Sequence, residues 1–247
     1  MRSFGFTPPR HLSRGLLVLA LTATACWLPP PGAGGHDFTS FRALTSETIS
    51  PTGFRVRIES GLAPTVAAEA LAATEAALQR AVAVLPHAVV LQLQNVRIDI
   101  VSQSSTRPTS AAMYHPLGSS AVEPDKHNTI EVNLAGNAVE ALTRSQPYAM
   151  LHELAHAYHF LVLGEGHVDL QRAFAQAHQG GRYQAVGRNF SSEVVPAYAM
   201  TNAIEYFAEL SEAYLGVNDY YPFTREQLRA HDPVGFALMA SVWGNSP

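Results

Sequence analysis

The stretch that most constrains this chain is residues 146–164, QPYAMLHELAHAYHFLVLG. Pro147 suits the first position of a helix, where its missing N–H costs nothing, and Gly164 suits the position just past the end. At about 100° per residue, Leu151, Leu154, Ala155, Tyr158, Leu161 and Val162 line up as one apolar stripe. The spacing predicts an amphipathic helix over 146–164 that buries this stripe in a core. His152 and His156 fall on the flank of the stripe, about 40° apart and one turn from each other. Glu153 sits further round, beyond His156.

Two imidazoles at i and i+4 can each bring a nitrogen to one ion at about 2.0–2.1 Å, and a carboxylate beside them can take a proton from a water that the ion activates. His152, Glu153, Leu154, Ala155 and His156 therefore read as an HExxH motif, with His152 and His156 as ligands of Zn2+ and Glu153 as general base. The chain has one cysteine and 11 histidines. A disulfide within the chain and a multi-cysteine metal site are excluded, so any metal must use His, Asp or Glu.

A catalytic zinc needs a third protein ligand. His159 lies one turn beyond His156, and a straight helix does not wrap three of its own residues round one ion, so His159 reads as packing or as support for a ligand. Downstream, residues 202–216 read NAIEYFAELSEAYLG, and Glu205, Glu209 and Glu212 fall within about 60° of one another on a helical wheel. Like charges one turn apart destabilise a helix unless a cation faces them. Glu205 as ligand, with Glu209 accepting a hydrogen bond from a ligating imidazole, would satisfy the stripe. The competing readings are a capping box of Asn202 with Glu205, and a solvated face for Glu209 and Glu212.

HELAHAYH followed by AYAMTNAIEYFAELSEAY resembles the gluzincin metallopeptidases, most of all the catalytic domain of anthrax lethal factor and its secreted bacterial relatives. The likeness covers roughly residues 146–216. It implies a zinc-dependent peptidase acting on a peptide or protein, with Glu205 completing the metal site, Glu209 supporting it, and Tyr198 donating on the oxyanion side. Tyr198 has a reading from the residues as well, since a phenol facing the ion can donate to a developing oxyanion; the plainer alternative is a core tyrosine. The rivals to a peptidase are a catalytically inactive zinc- or peptide-binding protein on a peptidase fold, and a helical protein with a chance motif.

The rest of the chain reads as an α+β arrangement, a small N-terminal lobe of strands and helix followed by a mainly helical zincin lobe that carries the HExxH helix. Strands are expected at 53–60, 96–101 and 129–134, a helix at 64–85, a long loop at 102–128, and helices nearly throughout after Asn137. The strand at 129–134 is either an edge that pairs with an extended peptide or an ordinary interior strand. Tyr114 and His115 in the long loop lie within reach of a cleft but are not assigned to it. In the tail, Thr224 with Gln227 fits a capping box, and Asp232-Pro233 fits an N-cap followed by the first helical residue.

Residues 1–14 carry Arg2, Arg10 and Arg14 and no acid, and a short apolar run over 15–28 follows. This is the signal-peptide pattern. Cleavage after Ala25 would leave Cys26 first, either lipidated or simply exported, so the expected location is secreted or cell envelope. The expected organisation is a signal peptide over 1–25, a linker over 26–50 and one domain over 51–247, divided near 135, with no membrane span in the mature chain. Charged residues make up 15% and hydrophobic ones 47%, which excludes disorder along the whole chain. A net charge of -4 leaves no basic surplus for a nucleic acid. Oligomeric state is not legible.

Overall fold

The computed structural model describes residues 43–244 apart from 46, 121 and 190. The expected signal peptide, Cys26 and the expected linker up to residue 42 lie outside the described residues. Among these the chain is a mixed α/β structure with eight α-helices and a five-stranded sheet of order β1-β2-β3-β5-β4. The strands are β1 (Thr48–Ile49), β2 (Arg55–Ile58), β3 (Arg97–Val101), β4 (Ala112–His115) and β5 (Thr129–Asn133). β2, β3 and β5 run parallel, while β1 and β4 are antiparallel edges. β1 lies within the stretch read as linker.

Alternation decides the two faces of the sheet. Val56, Ile98, Ile130 and Tyr114 sit side by side in register and are buried toward the helices. The opposite face is polar yet also buried. Arg57 forks onto Asp99 at 2.9 and 2.8 Å, Arg97 reaches the same carboxylate at 3.0 Å, and Lys126 meets Glu131 at 2.6 Å. Burial raises the Glu131 carboxyl, but His115 and Lys126 outweigh that and hold it down at about 2. The segment between β3 and β5 folds across this face, and the pairing is what makes burial of Asp99 and Glu131 tolerable. The expected loop over 102–128 therefore contains a strand. Its Ala, Met and His have little β preference, and only pairing with β5 makes β4. The strand at 129–134 is thereby interior, and the edge on this side of the sheet is β4.

The helices are α1 (Pro64–Val84), α2 (His87–Leu93), α3 (Ala138–Glu140), α4 (Ala149–Tyr158), α5 (Val168–Gln179), α6 (Ala203–Leu215), α7 (Arg225–His231) and α8 (Pro233–Trp243). Pro64 opens α1, whose buried Ala70, Ala73, Ala77 and Ala81 leave room for α4 to approach. The run His87–Leu93 is helical and buries Val89, Val90 and Leu93. α4 starts two residues after Pro147 and gives way to a π-helical turn, His159–Leu163, which Gly164 ends at φ 81. Met150, Leu151, Leu154, Ala155 and Ala157 are fully buried between the sheet, α1 and α6. A short hairpin of β6 (Val186–Gly187) and β7 (Val194–Val195) interrupts the expected helical half. The tail caps are present: Thr224 with Gln227 forms a capping box on α7, and Asp232 accepts from Gly235 N–H ahead of Pro233 at the start of α8. No helix among the described residues is long and apolar enough to cross a membrane.

Candidate metal centre

α4 and α6 pack against each other through their apolar faces, and that contact brings three donors together. The Nε2 atoms of His152 and His156 lie 3.1 and 3.2 Å from the same oxygen, Oε2 of Glu205. The two imidazoles stand edge to face, with centroids 4.6 Å apart. Glu205 is the third residue of α6. Asn202 caps that helix by accepting from the N–H groups of Ile204 and Glu205 at 2.8 and 2.9 Å. Asn202 thus caps α6 while the Glu205 side chain turns to the histidines. A carboxylate in the first turn is also favoured by the helix dipole.

Burial and neighbouring charge oppose each other at Glu205 and at His152. Burial raises the Glu205 carboxyl, but His156 and His152 outweigh it and hold the group well below the usual carboxylate range. Burial lowers His152, and Glu205 and Glu212 outweigh that, holding its imidazole protonated well above the ordinary value. A proton here occupies a place suited to a cation. Tetrahedral ligands at 2.0–2.1 Å from zinc stand about 3.3 Å from one another. The observed 3.1 and 3.2 Å separations match that edge, and the two-nitrogen, one-oxygen donor set suits zinc. The ligand atoms of His152, His156 and Glu205 all lie within 4.8 Å of one another.

Glu153 is buried beside this trio without joining it. Its Oε2 accepts the backbone N–H of Tyr114, on edge strand β4, at 2.7 Å. Tyr198 reaches the trio from the other side. A helical run from Pro196 into α6 would place it there, but the chain instead makes a separate 3-10 turn, Tyr198–Met200, before the Asn202 cap. Its hydroxyl donates to Glu205 Oε1 at 3.2 Å, and the residue is 40% exposed, so it is not a core tyrosine.

The support of His152 differs from the sequence expectation. Nδ1 is 2.7 Å from Glu212 Oε1 and 3.9 Å from Glu209. Seven residues on a helix make two turns and return to within about 20° of the starting face, whereas four residues swing about 40° away. Glu212 therefore comes round to the Glu205 face and meets the back of the same imidazole. Glu209 instead accepts from Asn218 Nδ2 at 3.2 Å, deeper in the core. Burial raises Glu212 to about 7 against the pull of His152. Burial, then Asp219 and Glu212, drive Glu209 well above the usual range. Glu212→Ala should weaken zinc affinity by about 10–100-fold, the usual cost of losing the group that orients a ligating histidine, and Glu209→Ala by less. Competition against a chelating dye measures both; the reverse ranking would return the role to Glu209.

His159 does not join the donors. It is fully buried against Phe207 and Phe160, and neither ring nitrogen has a hydrogen-bond partner among the described residues. Burial, then the charges of His156 and His167, lower it to about 4, so it packs as a neutral ring. Tyr114 contributes through its backbone, while its hydroxyl donates to Asn128 Oδ1 at 3.0 Å. His115 is buried on the polar face of the sheet, 3.9 Å from Glu131. Sequence reasoning missed the Tyr114 N–H because a backbone group carries no residue signature. It underweighted Glu212, whose two-turn spacing from Glu205 was the available signal. The chain matches no protein-family model, no curated protein and no solved structure, so the chemistry of this centre is read from its own geometry.

Proposed function

We propose that this chain is a zinc-dependent metallopeptidase of the gluzincin type that hydrolyses peptide bonds outside the cytoplasm. The observation that carries the reading is the convergence of both HExxH imidazoles on one oxygen of Glu205, with Glu153 fixed beside them. His152, His156 and Glu205 would hold the zinc, which when bound would polarise a scissile carbonyl and make a water acidic enough to attack near neutral pH.

The chain's own residues supply the rest. Tyr114 N–H engages one oxygen of Glu153, orienting the carboxylate and leaving the other oxygen to accept a proton from the attacking water. The same carboxylate can then return that proton to the leaving amine. The Tyr198 hydroxyl, now on Glu205 Oε1, needs only to turn toward the substrate to donate to the developing oxyanion. β4 ends the sheet, and main-chain groups of its outer edge other than the Tyr114 N–H, which Glu153 holds, would pair with an extended peptide. Export accords with the basic, then apolar, start of the chain.

The test is hydrolysis of a mixed peptide library by the purified chain. Cleavage should vanish after dialysis against a chelator and return on adding about one equivalent of zinc. Hydrolysis that survives complete metal removal, or a chain that takes up no stoichiometric zinc, would overturn the reading.

A further inference from the structure

The hydrogen bond that orients Glu153 comes from the backbone of β4, a strand only 4 residues long. Of those residues only Tyr114 favours a strand, so the segment does little to fix its own register. A slip of one residue against β5 would turn the Tyr114 N–H inward and carry it off the carboxylate. Two asparagines hold the strand, one at each end. At the far end, Asn128 donates its backbone N–H to the His115 carbonyl at 2.8 Å, and its Oδ1 accepts the Tyr114 hydroxyl at 3.0 Å.

At the near end stands Asn133, the last residue of β5, which is 1% exposed. Its backbone N–H donates to the Ala111 carbonyl at 2.8 Å, just ahead of β4. Its Oδ1 accepts the N–H of Ser104 at 2.9 Å, and its Nδ2 donates toward the carbonyls of Arg107, Pro108 and Ser110 at 3.2, 3.1 and 2.8 Å. One buried amide thus ties down the chain from Ser104 to the start of β4, using both its acceptor and its donors. Gly136 backs the same segment so closely that a Cβ there would stand 2.1 Å from the Ser110 carbonyl oxygen.

We propose that Asn133 is a positioning residue for Glu153. By holding the segment ahead of β4 it sets the register that brings the Tyr114 N–H, 2.7 Å from Oε2, to the carboxylate. This rests on the peptidase reading above. Among the described residues the Asn133 side chain has no hydrogen bond to His152, His156 or Glu205, so its effect falls on turnover and not on the metal.

The experiment measures kcat on the best library peptide together with zinc content. Asn133→Ala should lower kcat by about tenfold to a hundredfold, the scale of a reacting group displaced by about 1 Å, at unchanged zinc. Gly136→Ala pushes on Ser110 with Asn133 in place and should act in the same direction; it decides the matter if Asn133→Ala does not fold. In a Glu153→Gln background, where the base is already gone, Asn133→Ala should cost less than about twofold more, because residues that act through one group are not additive. A disturbed peptide edge would instead show in KM and persist in that background. Leu228→Ala, a core change on α7, should lower the melting temperature yet leave kcat within about twofold. Amide exchange at Tyr114 reads the same link without substrate and should quicken by about tenfold or more in Asn133→Ala. Unchanged kcat in the folded variants, unchanged Tyr114 exchange, an equal loss in the Glu153→Gln background, or an equal loss in Leu228→Ala would overturn the proposal while leaving the peptidase reading intact. Zinc-loaded wild-type protein that cleaves no peptide would overturn the reading itself and this proposal with it.

Discussion

His156→Ala is expected to abolish stoichiometric zinc binding and all zinc-dependent hydrolysis. His156 is 9% exposed, and its Nε2 is one of two nitrogens directed at Glu205 Oε2, so its removal leaves two donors where three are needed. The loss also reads out without any substrate. A ligand that binds only the folded state stabilises it by RT ln(1 + [L]/Kd), about 4 kcal/mol at a thousandfold excess over Kd. Zinc should therefore raise the melting temperature of the wild-type chain by several degrees and have almost no effect on His156→Ala. The same contrast is expected for His152→Ala, whose imidazole meets both Glu205 and Glu212. Unchanged zinc content in both variants would remove the metal centre from this site.

Glu153→Gln should separate binding from chemistry. Among the described residues Glu153 hydrogen-bonds to neither imidazole; it accepts the Tyr114 N–H, which a glutamine carbonyl can still accept. The fold and the zinc content should survive. What is lost is a carboxylate able to take a proton, and general-base catalysis contributes typically 10²–10⁴ in rate, about 3–5 kcal/mol of barrier. Hydrolysis should fall by at least that factor at unchanged metal occupancy. A binding protein with no catalytic role would show zinc uptake and peptide affinity indifferent to this change. Full activity in Glu153→Gln would reject the mechanism while leaving the metal centre standing.

Some of the architecture could be read from residues alone because its cause is local. The helix over Pro64–Val84 follows from Pro64 and an apolar repeat, and the caps Thr224 with Gln227 and Asp232 before Pro233 follow from side chains that reach their own backbone. β3 and β5 alternate clearly enough to be seen without partners. β4 does not: Ala112, Met113, Tyr114 and His115 become a strand only because β5 offers a free edge and the segment before them is tied to Asn133. The shift from α- to π-helical turns after Tyr158 leaves no clear pattern either.

The candidate centre divides the same way. The sequence by itself determined that His152 and His156 share a helix flank with Glu153 beside them, because an α-helix repeats every 3.6 residues wherever it is placed. It also marked Glu205, through an acidic stripe that calls for a cation. Only the tertiary structure decided which carboxylate supports His152, because the packing of α4 on α6 selects among residues that differ by less than 60° on a wheel, and it selects Glu212 over Glu209. Only the tertiary structure, too, set the Tyr114 N–H against Glu153. These pairings join segments 39 residues apart and more, and distances across such separations are set by the packing of sheet on helix, not by any local preference of the chain.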